Sequence, residues 1–113
     1  MHAAALIDIA EEYARALHDL LGDNLVRVSL FGSRARSEHR PDSDFDLMVG
    51  VREADGGVRS AVHTLALDFE LDRALDLSTK ILRASDFEKL RASSHPFWRR
   101  FRQDERLLWP RTS

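Results

Sequence analysis

The chain has 113 residues, 43% hydrophobic and 32% charged, with a formal net charge of −2. Such a length supports one hydrophobic core, so a single domain over residues 1–113 is expected, and the charge supplies no general drive toward nucleic acid. Cysteine is absent, which excludes disulfides and thiolate metal sites and fits a reducing, cytoplasmic setting; no apolar run reaches membrane-span length, and no signal-peptide pattern opens the chain.

From Ala3 to Leu21, Leu6, Ile9, Tyr13, Leu17, Leu20 and Leu21 recur at helical spacing, with Gly22 placed to end the helix. Tyr13 and His18 read as core or boundary residues of a helix packed on a sheet. Leu25 to Phe31 is a first strand, rich in large apolar and β-branched residues. Gly32-Ser33 leaves that strand and supplies backbone N–H groups suited to a phosphate. Ser33 to Glu38 is expected to form a short helix that stops before Pro41, because the residue preceding proline avoids the α region. Its Arg34 and Arg36 are candidates for bidentate contact with nucleotide phosphates.

A second strand follows as Asp44-Phe45-Asp46-Leu47-Met48-Val49-Gly50-Val51. Period two puts Asp44 and Asp46 on one face, with Phe45 and Leu47 on the other. Two adjacent carboxylates repel unless a cation lies between them, and hard ions such as Mg²⁺ take carboxylate oxygens together with substrate phosphates. The combination points to metal-assisted phosphoryl or nucleotidyl transfer.

Asp55 is placed to cap the next helix, which Val58, Val62, Leu65 and Phe69 mark from Gly57 to about Phe69. Its end is ambiguous, because Leu65, Leu67, Phe69 and Leu71 also alternate like a strand, and His63 reads as an exposed helix residue. Leu75 to Leu82 is a third strand in which Asp76, between two leucines, projects opposite to them. Ser85-Asp86-Phe87-Glu88 has the spacing of a capping box opening a short helix to about Arg91. Pro96 sits at a first helical position, and Phe97 and Phe101 share a face. Leu107-Leu108-Trp109-Pro110 reads as a short edge strand stopped by proline, and the arginines between Arg91 and Arg106 read as a solvated helix face.

Gly32-Ser33, ten residues, then Asp44-x-Asp46 resembles the signature of the DNA polymerase β-like nucleotidyltransferase superfamily. The fuller string Phe31-Gly32-Ser33-Arg34-Ala35-Arg36, followed by Ser43-Asp44-Phe45-Asp46-Leu47, is similar to its minimal nucleotidyltransferase (MNT) branch. Ser37 stands where that branch often has glycine and Phe45 where isoleucine is usual, neither of them a carboxylate position. The likeness runs from the first strand to the terminal leucine pair. It implies the nucleotidyltransferase fold, an α/β (α+β) domain with a small mixed β-sheet and helices mainly on one face.

By the same resemblance, Asp44 and Asp46 bind two Mg²⁺ ions (Mn²⁺ being an alternative), Asp76 supplies the third carboxylate, and Gly32 and Ser33 hold the β- and γ-phosphates of ATP or another NTP. Asp68 and Asp72 compete with Asp76 but fall in or just after the helix. Relatives that modify antibiotics or extend RNA carry further domains to hold the acceptor, so this chain is expected to borrow that surface from a partner or a homo-oligomer. The resemblance implies the antitoxin of a HEPN–MNT pair, moving AMP to a tyrosine of the HEPN toxin. A binding-only antitoxin with a vestigial site and a stand-alone enzyme with a small-molecule acceptor are the alternatives.

Overall fold

The computed structural model describes residues 3–31, 45–73 and 76–110. Helix α1 spans Ala3–Leu21, and Gly22, at a φ of 58° that costs glycine little, turns the chain through a 3-10 turn at Gly22–Asn24. The strands are β1 (Leu25–Phe31), β2 (Phe45–Val51), β3 (Leu77–Arg83) and β4 (Arg106–Trp109). Helix α2 (Gly56–Arg73) connects β2 to β3, and α3 (Ala84–Ala92) and α4 (Pro96–Asp104) lie between β3 and β4. The sheet order is β3-β2-β1-β4, mixed as expected: β1 pairs antiparallel with β2 and β4, and β2 pairs parallel with β3.

Local chemistry accounts for most boundaries. Asp55 Oδ1 accepts from Val58 N at 2.8 Å and caps α2. His95 Nδ1 accepts from Phe97 N at 3.1 Å, with Pro96 filling the first position of α4. Helix α3 begins earlier than the Ser85 capping box predicts. Asp86 is its third residue, and its carboxylate accepts from Arg83 N at 3.1 Å and from the Arg83 guanidinium. Those guanidinium and backbone hydrogen bonds hold the Asp86 carboxyl below its ordinary range.

Helix α2 runs past Phe69 to Arg73. The strand-like alternation over Leu65–Leu71 arises because Leu67 and Leu71 face solvent, at 52% and 74% exposure, while Phe69 is buried. Arg73 holds the helix end, bonded to Glu12 on α1 at 2.8 Å with its guanidinium over the Phe69 ring.

The core sits between one face of the sheet and the two long helices. Val28, Leu30, Leu47, Val49, Val51 and Leu77 alternate onto that face and meet Tyr13 and Leu17 of α1 and Val62, Ala66 and Phe69 of α2. The two short helices add a smaller cover on the opposite face, where Met48 and Phe101 are buried. Gly50 is required there, because an added Cβ would lie 2.8 Å from Phe87 Cε2.

Tyr13 joins the long helices. Its ring meets Phe69 edge-on at 5.3 Å, and its hydroxyl donates to Val62 O at 3.0 Å. Burial, with Glu70 as a second cause, pushes its pKa well above the ordinary tyrosine value. The unfolded phenol ionises near pH 10 while the folded one keeps its proton, so this contribution to stability is complete below about pH 10 and declines above it. Tyr13→Phe should therefore cost about 1 kcal/mol at neutral pH through the lost hydrogen bond. Thermal melts from pH 8 to 11 should show a flatter alkaline decline for the variant than for the wild type.

Candidate functional site

Strand β2 places the first candidate carboxylate. Asp46 lies opposite Phe31 of β1 and in register with Ser78 of β3. In-register residues of paired strands project to the same face, so Asp46 and Ser78 lie on the face opposite the buried Leu47 and Leu77. Asp76 immediately precedes β3, two residues before Ser78, and falls at the same end of the sheet on that same face. Strand spacing and rise set the Asp46 and Asp76 backbones about 8 Å apart, within reach of one shared cation. Asp46 is half-buried and Asp76 exposed. β1 also ends here, at Phe31, the residue that pairs with Asp46.

Of the residues expected from sequence, Asp46 and Asp76 are thus brought together, whereas Gly32, Ser33, Arg34, Arg36 and Asp44 lie outside the described residues, as do Leu75 and the helix expected from Ser33. Among the described residues no cluster of three or more His, Asp or Glu forms a metal site. The donor set present is nonetheless of the right chemistry for a hard divalent ion, because both groups offer carboxylate oxygens at one strand end. His63 does not belong to it: its Nδ1 lies 3.4 Å from Thr79 Oγ1, on the helix-covered face. Asp68 and Asp72 are exposed residues of α2.

Two features beside the carboxylates went unread in the sequence. Phe97 of α4 contacts Phe31 edge-on at 6.1 Å, and Lys80 Nζ lies 5.2 Å from the Phe97 ring centre. Strand alternation from Asp76 through Ser78 to Lys80 would have indicated that Lys80 shares the carboxylate face. No sequence signal announces that α4 folds back over it.

The family described as Polymerase beta, Nucleotidyltransferase matches residues 11–113. A Methanocaldococcus jannaschii protein, provisionally named protein adenylyltransferase MJ0141, is 40% identical over 48 residues; the match covers 42% of this chain and 48%, about half, of that protein. The fold is similar to that of a toxin–antitoxin crystal structure with AMP-PNP, at a TM-score of 0.58 and 20% identity, covering 90% of this chain and 74% of that one. It is also similar to a structure of a tri-AMPylated Shewanella oneidensis HEPN toxin in complex with its MNT antitoxin. There the TM-score is 0.52 at 18% identity, covering 90% of this chain and 71% of the other.

Asp76 is exposed and lies just before β3, so its carboxylate has no part in the hydrophobic core. Asp76→Asn should leave the unfolding free energy within about 0.5 kcal/mol of wild type, as surface substitutions usually do. Mn²⁺ binding followed by electron paramagnetic resonance should weaken in the same variant by about tenfold or more. A large loss of stability with unchanged Mn²⁺ affinity would make Asp76 a structural residue.

Proposed function

This chain belongs to the polymerase beta nucleotidyltransferase family, and on that premise we propose that it moves AMP from ATP to a tyrosine hydroxyl of a helical, HEPN-type toxin, acting as the antitoxin. The observation that carries the reading is the shared face and shared sheet end of Asp46 and Asp76, beside the exit of β1 toward Gly32-Ser33. Support for the nucleotide and the acceptor comes from the similar folds that occur with AMP-PNP and with an AMPylated toxin.

In this reading Asp44, Asp46 and Asp76 hold Mg²⁺. When bound, such ions polarise the α-phosphate and offset charge on the attacking and leaving oxygens. Gly32 and Ser33 direct backbone N–H groups at the β- and γ-phosphates, and the Arg34 and Arg36 guanidinium groups neutralise the same charge. Asp76, which is exposed, accepts the proton of the attacking hydroxyl. The hydroxyl oxygen bonds to the α-phosphorus, the bond to the bridging oxygen breaks, and pyrophosphate leaves. No covalent enzyme intermediate is involved, so orientation and charge supply the rate.

A protein acceptor that docks on this chain brings its hydroxyl in oriented, which favours it over a freely diffusing small hydroxyl compound. ATP with Mg²⁺ at a hundredfold excess over Kd should stabilise the fold by about 2.7 kcal/mol. Incubation with ATP, Mg²⁺ and the helical partner should add AMP mass to a partner tyrosine by mass spectrometry, and Asp76→Asn should abolish the addition. Labelling of aminoglycosides or lincosamides with none on the partner would reassign the acceptor; no transfer and no thermal shift would leave a binding-only antitoxin.

A further inference from the structure

A cleft of about 380 Å³ opens between α3 and α4 on the same sheet face as the carboxylates. Its walls are Phe87 of α3 and Trp98 of α4, whose rings meet edge-on at 6.4 Å, and β1 contributes Val26 and Arg27. Arg27 is committed to the fold, since Glu105 takes its guanidinium through two hydrogen bonds of 2.6 and 2.5 Å. The rim is different. Arg91 makes only an exposed pair with Glu88 at 3.0 Å, the kind that contributes little, and Arg102 has no ion pair or hydrogen bond among the described residues.

Of the arginines that line this cleft, Arg91 and Arg102 are exposed, in a chain whose overall charge is −2. An aromatic-walled cleft with two arginines at its rim has the composition of an interface centre, where Trp, Phe and Arg concentrate binding energy. With Arg27 taken up by Glu105 and Arg91 paired with Glu88, the cleft offers too few free cations for the run of phosphate contacts a polynucleotide needs. A short segment with one or two carboxylates asks for no more than its rim. Arg27 lies four residues before Phe31 on β1, which puts the cleft about 13 Å along the sheet from the carboxylate end. About four extended residues, or nine helical ones, span that distance.

We propose that the cleft between α3 and α4 docks an acidic segment of the acceptor protein, anchored by one aromatic side chain. The inference rests on the reading that the acceptor is a protein, and it deepens that reading by assigning the surface that orients it. The aromatic anchor packs in the cleft against the Phe87 and Trp98 rings, and flanking carboxylates pair with Arg91 and Arg102 at the rim. The acceptor hydroxyl is then held near Asp76 by the length of the intervening segment.

The test uses the full chain and a fluorescein-labelled peptide of about twelve residues, rich in Asp and Glu around one Phe and free of tyrosine. Fluorescence anisotropy should show binding that weakens tenfold or more in Arg102→Glu and in Arg91→Glu, and when the peptide Phe is replaced by Ala. Both arginines are exposed, so melting temperatures should be unchanged. ATP affinity, measured on the same proteins, should be unchanged too. Absence of peptide binding, equal binding by both variants, or tighter binding of an oligouridylate than of the peptide would overturn the proposal. Failure of wild type to bind ATP is a separate result that counts against the nucleotidyltransferase reading, whatever the peptide does.

Discussion

The structure depends on the double registration of β2. As the strand between antiparallel β1 and parallel β3, it is tied by backbone hydrogen bonds on both edges, and the side-chain period of two propagates one alignment across the sheet. A slip of one residue on either side would carry Leu47, Val49 and Val51 out of the core and turn Asp46 into it. Burial of three apolar side chains and the cost of burying a carboxylate both oppose that slip. The alignment that builds the core is therefore the one that brings Asp46 and Asp76 to a common face and end.

A parallel neighbour needs a crossover, and α2 supplies it while burying the sheet with α1. The long helices thus leave the carboxylate face to the short ones. There α4 is held by aromatic packing and by a polar clamp. Phe101 contacts Phe31, Phe87, Phe97 and Trp98, and Glu105, its side chain 14% exposed, accepts from Arg27 and from the buried Ser29 hydroxyl. A carboxylate so enclosed is stabilising only with both partners present; removing either leaves a buried charge or an unmet polar group. The clamp sits where α4 gives way to β4, and so fixes the edge strand and the covering helix together.

Such a scaffold keeps the sheet end apart from the peripheral cleft. The rigid sheet holds carboxylates, which must be placed closely to serve as metal ligands or as a base. At the periphery, α3 and α4 offer aromatic and cationic side chains at the rim of a cleft. On the proposed reading, separating the two lets an acceptor surface vary without disturbing the strand register.

The sequence by itself determined most of the elements and the family resemblance, because both rest on local patterns. Gly22 ends α1, Asp55 caps α2, Pro96 opens α4, and alternation after Asp44 marks β2 and its acidic face. The Gly32-Ser33 and Asp44-x-Asp46 spacing carried the family resemblance before any contact was known. Where local signals competed, tertiary contacts decided. Leu65–Leu71 fits strand and helix alike, and the burial of Phe69 against Tyr13 with the Arg73–Glu12 pair selects the helix. The Ser85 box lost to Arg83 and Asp86, whose guanidinium–carboxylate pairing caps α3 earlier. Only the tertiary structure placed Asp76 beside Asp46, since register between strands separated by a helix is set by how the core closes rather than by either strand. The return of α4 over the carboxylate face was likewise decided there. Its contacts with Phe31 and Glu105 join residues far apart in the chain, and no local pattern encodes which distant side chain a ring or a carboxylate will meet.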